Sequence, residues 1–192
     1  MTKIIAFSGY AGTGKNTFAN ELTTQLSTRY KVGEFMLAGP AKAAVAEAMN
    51  LDMSDMEDKE FRVTKCIGIT GSKPISPIDA IRIIAETVAS NGYPTIWADL
   101  LMQKLILNDD LDYAIITDLR RLKELEVFRR ITDKMTYRDF YHFHVVRDIE
   151  LTDYHKHVSE SEVEKLKDLA DKVIDLDGNI PSLVTDAISF VQ

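Results

Sequence analysis

Cysteine is almost missing: Cys66 is the only one in 192 residues, which excludes a disulfide framework and fits a free thiol in a reducing compartment. Positive charge is also in short supply. Against 30 acidic side chains stand 23 lysines and arginines, giving a net charge of −7 and a pI near 5.1, so a broad basic face for a long nucleic acid is not expected. No apolar run approaches the roughly 20 residues of a membrane span. The N-terminus enters a strand pattern directly, without a leader segment, so a cytoplasmic protein is expected. Glycine is sparse as well, yet three of the nine glycines fall within residues 9–14.

That concentration is the strongest signal in the chain. Ile4, Ile5, Ala6 and Phe7 read as a buried parallel strand, and Phe18, Ala19, Leu22 and Leu26 line one face of a helix. Between them Gly9, Ala11, Gly12, Thr13 and Gly14 lead into Lys15. Small residues at this spacing let successive backbone N–H groups curl around a phosphate, and the helix start adds its positive dipole end. Lys15 reaches the β and γ phosphates of ATP in such a loop, and the next hydroxyl helps to hold magnesium. Here Asn16 occupies that place and the hydroxyl comes one residue later, at Thr17, so either side chain can face the ion, directly or through water.

Further along, a strand near residues 33–37 ends in LAGP, and Pro40 opens a helix expected to bury Ala41, Ala44, Val45, Ala48 and Met49. Residues 51–75 read as a polar helical insertion with a mobile loop. Ser76, Pro77 and Asp79 form a helix start that runs to the Asn91-Gly92 stop, and a helix after Pro94 is expected to bury Ile96, Trp97, Leu100 and Leu101. DYAIITD at 112–118 and FYHFHVVRD at 140–148 read as strands. Ser159 with Glu162 reads as a second capping box, and a short strand near Val173 precedes a last helix from Ile180 to Val191. The result is a single α/β domain, a five-stranded parallel sheet with helices on both faces, whose ligands bind beyond the carboxyl ends of the strands.

Asp118 and Arg147 end strands on that side, with Arg120 close behind. Asp118 suits a carboxylate that holds magnesium through water, and otherwise a helix cap. Arg120 and Arg147 suit phosphoryl oxygens, because a guanidinium bonds two of them at once and stays charged. Arg62 either swings onto an acceptor phosphate or pairs with Asp58 four residues earlier, and Lys42 and Arg82 are open in the same way. His142 and His144 share a strand face, while His155 and His157 fall in a loop. Without a cysteine partner or a helical ligand spacing, packing and surface roles are preferred to zinc.

The segments SGYAGTGKNT at 8–17, LAGPAKAAV at 37–45, IWADLL at 96–101, ITDLRRLKELE at 116–126, HVVRD at 144–148, HVSE at 157–160 and VIDLDG at 173–178 follow one another in a specific order. In this the chain resembles the phage deoxynucleoside monophosphate kinases, a branch of the P-loop nucleoside monophosphate kinases. The resemblance implies a three-layer P-loop kinase fold over residues 1–192, with an acceptor-binding helical insertion at about 41–108 and a short lid at about 148–168. It implies transfer of the γ-phosphoryl group of ATP, with Mg2+, to a deoxynucleoside 5'-monophosphate. Lys15, Asp118, Arg120 and Arg147 would act on the phosphates. Ala38, Gly39, Pro40, Lys42, Arg62, Arg82, Trp97, Asp118, Arg120, Glu124 and Glu160 would surround the acceptor. Partners would be nucleotides, with a homodimer open and the cytoplasm of a host cell as location. Leu176 replaces an Asn that the family has before its final Asp-Gly, and Ile78 departs from its base-reading pattern. Another small-molecule kinase, of the dephospho-coenzyme A or sugar-acid type, and a non-catalytic nucleotide-binding module are the alternatives; two strand-end arginines and a large insertion favour a two-substrate kinase.

Overall fold

The computed structural model describes residues 2–64, 74–108, 110–135, 138–150 and 161–192, with the side chains of residues 59 and 138 outside that description. β1 spans Thr2–Ser8, and Ile4, Ile5, Ala6 and Phe7 are fully buried. A strand so deeply buried has backbone N–H and C=O groups away from water along both edges, and each edge needs a partner strand. β3 (Tyr113–Ile116) supplies one, with Ile4 opposite Ala114, and β4 (Arg138–Val146) the other, with Ile5 opposite Tyr141. β2 (Val32–Phe35) lies beyond β3 and β5 (Lys172–Asp175) beyond β4, so the sheet is parallel in the order β2-β3-β1-β4-β5.

The chain divides into two units, one of Met1–Met36 with Ala98–Gln192 and the other of Leu37–Trp97. In the first, strand alternation sends Ile5, Phe7, Tyr113, Ile115, Phe143 and Val145 to one face, where α1 (Lys15–Leu26) and α9 (Ile180–Val191) cover them. Phe7 meets Phe18 and Phe143 edge-on at centroid distances of 5.9 and 5.7 Å, contacts worth about 1 kcal/mol each beyond their buried area. On the opposite face Phe140 stacks on Phe128 of α7 (Leu122–Thr132) at 5.4 Å, and α8 (Val163–Asp168) lies against β1. Helices therefore cover both faces, which is the three-layer arrangement.

The second unit holds α2 (Gly39–Met49), α3 (Met53–Glu57), α4 (Lys59–Thr64), α5 (Pro77–Ser90) and the beginning of α6 (Ile96–Leu107). Ala41, Val45, Ala46, Met56 and Ile81 form its core, with Trp97 packed against them. Ser76 caps α5 as its sequence predicts: the hydroxyl accepts from Asp79 N at 3.3 Å and donates to Asp79 Oδ2 at 2.7 Å. Among the described residues no helix is long and apolar enough to cross a membrane.

Several local expectations are corrected. On α2, Ala44 and Ala48 are exposed while Lys42 and Ala46 are buried, so the inward stripe is turned from the one the alanines suggested. An alanine carries too little apolar surface to fix a helix face by itself. Leu100 is exposed on α6, and the buried positions are Ala98, Leu101, Met102 and Leu105. The expected capping box at α8 is replaced by Glu162 at the N-cap without a side-chain cap bond. Its carboxylate instead accepts from Leu122 N at 2.6 Å and so secures the start of α7. Ser159, His155, His157, Glu160 and Cys66 lie outside the described residues, as do residues 65–73 of the insertion and 151–160 of the expected lid.

Candidate nucleotide site

β1 ends at Ser8 and the next six residues turn the chain into α1. Gly9, Gly12 and Gly14 take φ values of 134°, 88° and 91°, in the region that favours glycine. Space also restricts two of them. A Cβ on Gly9 would stand 2.3 Å from the carbonyl oxygen of Val145, and one on Gly14 would stand 2.8 Å from Leu176 Cδ1 and 4.0 Å from Arg147 Nη1. Around Gly12 there is nothing within 4 Å. Thr13 tightens the turn by donating its hydroxyl to Tyr10 O at 2.8 Å.

Lys15 is the first residue of α1 and its ammonium folds back over the loop, donating to Gly9 O and Tyr10 O at 2.6 Å each. Only 8% of the residue is exposed. α1 has no acidic residue in its first turn and no side-chain cap, and an anion is what such a helix end attracts. The residues therefore fit a polyphosphate: a glycine cradle, a buried ammonium and an uncapped helix start on one short segment. Asn16 and Thr17 are exposed in the first turn and Asp118 is half-buried after β3. Among the described residues no group of three or more His, Cys, Asp or Glu can hold a metal ion. A magnesium ion here would therefore draw most of its ligands from phosphate and water, as that ion often does.

The strand-end segments gather around this loop within the first unit. Leu119 N donates to Phe7 O at 3.1 Å, which lays the Asp118 segment on the end of β1. Leu176 N donates to Val146 O at 3.0 Å, continuing the sheet past β5. Arg147 follows β4, and its Nε lies 3.7 Å from Asp177 Oδ1 while Asp177 Oδ2 accepts from Asp148 N at 3.0 Å. Arg147, Leu176 and Gly14 thus meet at one wall of the loop. Sequence reasoning missed Asp177 as the partner of Arg147 and saw Leu176 only as a departure from a family pattern.

Glu124 follows the Asp118–Arg120 segment. It is buried on the first turn of α7, and Oε2 accepts from Arg120 N at 3.1 Å and Arg121 N at 3.0 Å. Burial pushes its carboxyl up to about 7, and the charge of Asp118 adds to the rise against the two amides. In the second unit Lys42 is buried and donates to Glu57 Oε1 at 2.6 Å, although Glu57 is largely exposed. Ala38 is the N-cap residue of α2, with Gly39 and Pro40 opening the helix. Arg82 pairs with Asp79 at 3.8 Å, and Trp97 Nε1 donates to Ala85 O at 3.2 Å. Of the two roles open to Arg62, the one toward Asp58 takes the form of a bond to the backbone: Nε donates to Asp58 O at 3.4 Å, while Asp58 Oδ1 accepts from Glu60 N and Phe61 N. A short helix start leaves those amides unpaired, and a nearby carboxylate serves them first.

His142 and His144 are in the core, as their strand position predicts, but they are joined by a hydroxyl that the sequence reading passed over. Ser8 Oγ lies 2.7 Å from His142 Nε2 and 2.8 Å from His144 Nδ1. Burial lowers both imidazoles from 6.5 to about 4. The unfolded chain takes up these protons near pH 6.5 and the folded chain near 4, so their contribution is full above pH 6.5 and is lost as pH falls toward 4. Glu124 has the opposite sign, because the folded carboxyl keeps its proton to about 7 and the unfolded one releases it near 4.5. Stability should therefore fall by a few kcal/mol in all between about pH 6.5 and 4, two groups outweighing one. Glu124→Gln, which keeps an acceptor for both amides, should be more stable than the wild type by roughly 1–2 kcal/mol at pH 8. Urea denaturation at pH 8, 6.5 and 5 checks both, and a Gln variant less stable at pH 8 would contradict the reading of Glu124.

No family model and no curated protein matches the chain. Among solved structures, the APS kinase CysC of Mycobacterium tuberculosis in complex with AMPPNP and APS aligns with a TM-score of 0.51 at 12% identity, over 98% of this chain and 96% of that one. Its Cys556Ala mutant gives 0.48 at 14% identity, covering 98% and 95% of the two chains. Shikimate kinase from Aquifex aeolicus vf5 gives 0.40 at 9% identity, covering 96% and 94%. At such identities the likeness is one of fold, and the five-stranded parallel sheet flanked by helices is the fold this chain shares with P-loop kinases.

Proposed function

We propose that the chain transfers the γ-phosphoryl group of ATP to a deoxynucleoside 5'-monophosphate, giving the diphosphate. The observation that carries the nucleotide part is the loop itself: left-handed glycines, a helix start without an acid, and a buried Lys15 ammonium lying on the loop's own carbonyls. A phosphate entering the loop offers that ammonium charged oxygens in place of two neutral carbonyls, which strengthens its hydrogen bonds. Phosphoryl transfer asks little covalent chemistry of the protein and depends on positioning and positive charge. Lys15 and Arg147 flank the loop and supply that charge, with Arg120 near Asp118. Magnesium, held by phosphate oxygens with Asp118 and Asn16 or Thr17 as protein ligands, would neutralise the phosphates. The acceptor is read from the ordered segments shared with the deoxynucleoside monophosphate kinases and from three cations carried by α2, α4 and α5, namely Lys42, Arg62 and Arg82.

A second reading is transfer to a hydroxyl, which needs a base. Glu124, held near 7 beside Asp118, has the appropriate affinity for a proton. Its Oε2 is already committed to two backbone amides, so the phosphate acceptor is favoured. The two readings separate in an assay of acceptor-dependent ADP release with MgATP. Deoxynucleoside monophosphates, ribonucleoside monophosphates, a sugar acid, dephospho-coenzyme A and APS would be offered in turn. ADP release with a deoxynucleoside monophosphate is expected, and release only with hydroxyl acceptors would overturn the proposal.

A further inference from the structure

We propose that His142 and His144 are positioning residues for the phosphate-binding loop, acting through the hydroxyl of Ser8. Ser8 is the last residue of β1, directly before Gly9, and in the parallel pairing it stands opposite His144 while Ala6 stands opposite His142. Its Oγ is within 2.8 Å of one nitrogen on each ring, and none of the three side chains is more than 2% exposed. A serine hydroxyl has one proton, so it donates to one imidazole and accepts from the other, which locks the two rings in complementary tautomers. Burial keeps both rings neutral at working pH, so the arrangement is not interrupted by charging.

Apolar side chains would fill this space with no polar group to satisfy. What the polar set adds is direction. It fixes Ser8 from the side chain, while Val145 O confines Gly9 from the backbone, leaving no room for a Cβ. β4 therefore grips the root of the loop twice. The next two carbonyls along the chain, Gly9 O and Tyr10 O, are the ones that receive the Lys15 ammonium. A loosened Ser8 would shift these carbonyls, and Lys15 with them.

The effect on ATP rests on the nucleotide reading, whereas the effect on the loop does not. The test compares Ser8→Ala and His144→Leu with His144→Asn and His142→Gln, whose side-chain amides can set an N–H donor or a carbonyl acceptor where Nδ1 and Nε2 stood. Three quantities are measured: amide hydrogen exchange over residues 9–14 without ligand, MgATP affinity by calorimetry, and Tm. Ser8→Ala and His144→Leu should exchange the loop amides roughly tenfold faster and bind MgATP roughly tenfold more weakly. The two amide variants should stay within about threefold of the wild type, because the hydrogen bond and not the ring is what acts. Loop exchange unchanged in Ser8→Ala, or His144→Asn impaired as much as His144→Leu, would overturn the proposal. A wild type that does not bind MgATP while Ser8→Ala still loosens the loop would support this inference and remove the nucleotide reading.

Discussion

Replacing Lys15 by alanine is expected to lower turnover by roughly a thousandfold or more, because in the proposed reaction its ammonium lies on the loop that would hold the transferring phosphate. In the structure it spans Gly9 O and Tyr10 O at 2.6 Å, and it is the point where the loop's conformation and its charge meet. The fold should survive. Lys15 starts α1 on the loop side, while Phe18, Ala19, Leu22 and Leu26 hold that helix to the sheet, so Tm should change by only a few degrees. Kinetics at saturating ATP and acceptor, together with a thermal melt, check both halves. Turnover near the wild-type level in the alanine variant would sink the phosphoryl-transfer reading.

The second large effect is expected at Gly9, and it falls on folding. Gly9→Ala places a methyl group 2.3 Å from Val145 O at a backbone φ of 134°. The obstacle is a backbone carbonyl, and β1 and β4 are paired along Thr2 to Ser8, so neither strand can yield without breaking the ladder. A cost of roughly 3–5 kcal/mol follows from the overlap and the strained φ together, or about 10 °C in Tm for a chain of this size. Gly12→Ala is the control. Its φ of 88° also disfavours a side chain, but nothing lies within 4 Å, so only the backbone term of roughly 1–2 kcal/mol remains. A Gly9 variant as stable as the Gly12 variant would show that the Val145 contact does not confine the loop.

Strong periodicity and loop chemistry made most of the first unit legible. β1 and α1 follow from an unbroken apolar run, a glycine turn and a helical stripe, and the parallel sheet follows from strands separated by helices. Legibility failed where several weak signals compete. On α2 the alanines gave no face, and a buried Lys42 was visible only once Glu57 of α3 was placed beside it. Glu162 matched the pattern for capping its own helix yet caps α7, forty residues earlier in sequence, a choice that tertiary packing makes and local pattern cannot. The Ser8 contact was equally hidden, because it depends on the register between β1 and β4 and no spacing within either strand expresses it. The glycine turn is visible in the sequence, whereas the residues that confine it are distributed over β4, Arg147 just after it and Leu176 after β5.

Whether this loop delivers a phosphoryl group to another phosphate is seen most directly in the phosphorus NMR spectrum of the protein with MgATP and an equimolar mixture of deoxynucleoside 5'-monophosphates. The γ resonance of ATP should decline while diphosphate resonances of ADP and of a deoxynucleoside diphosphate grow in equal amounts, and Lys15→Ala should leave the spectrum unchanged over the same period. Loss of the γ resonance into inorganic phosphate alone, or a spectrum that stays unchanged with the wild type, would contradict the proposed transfer.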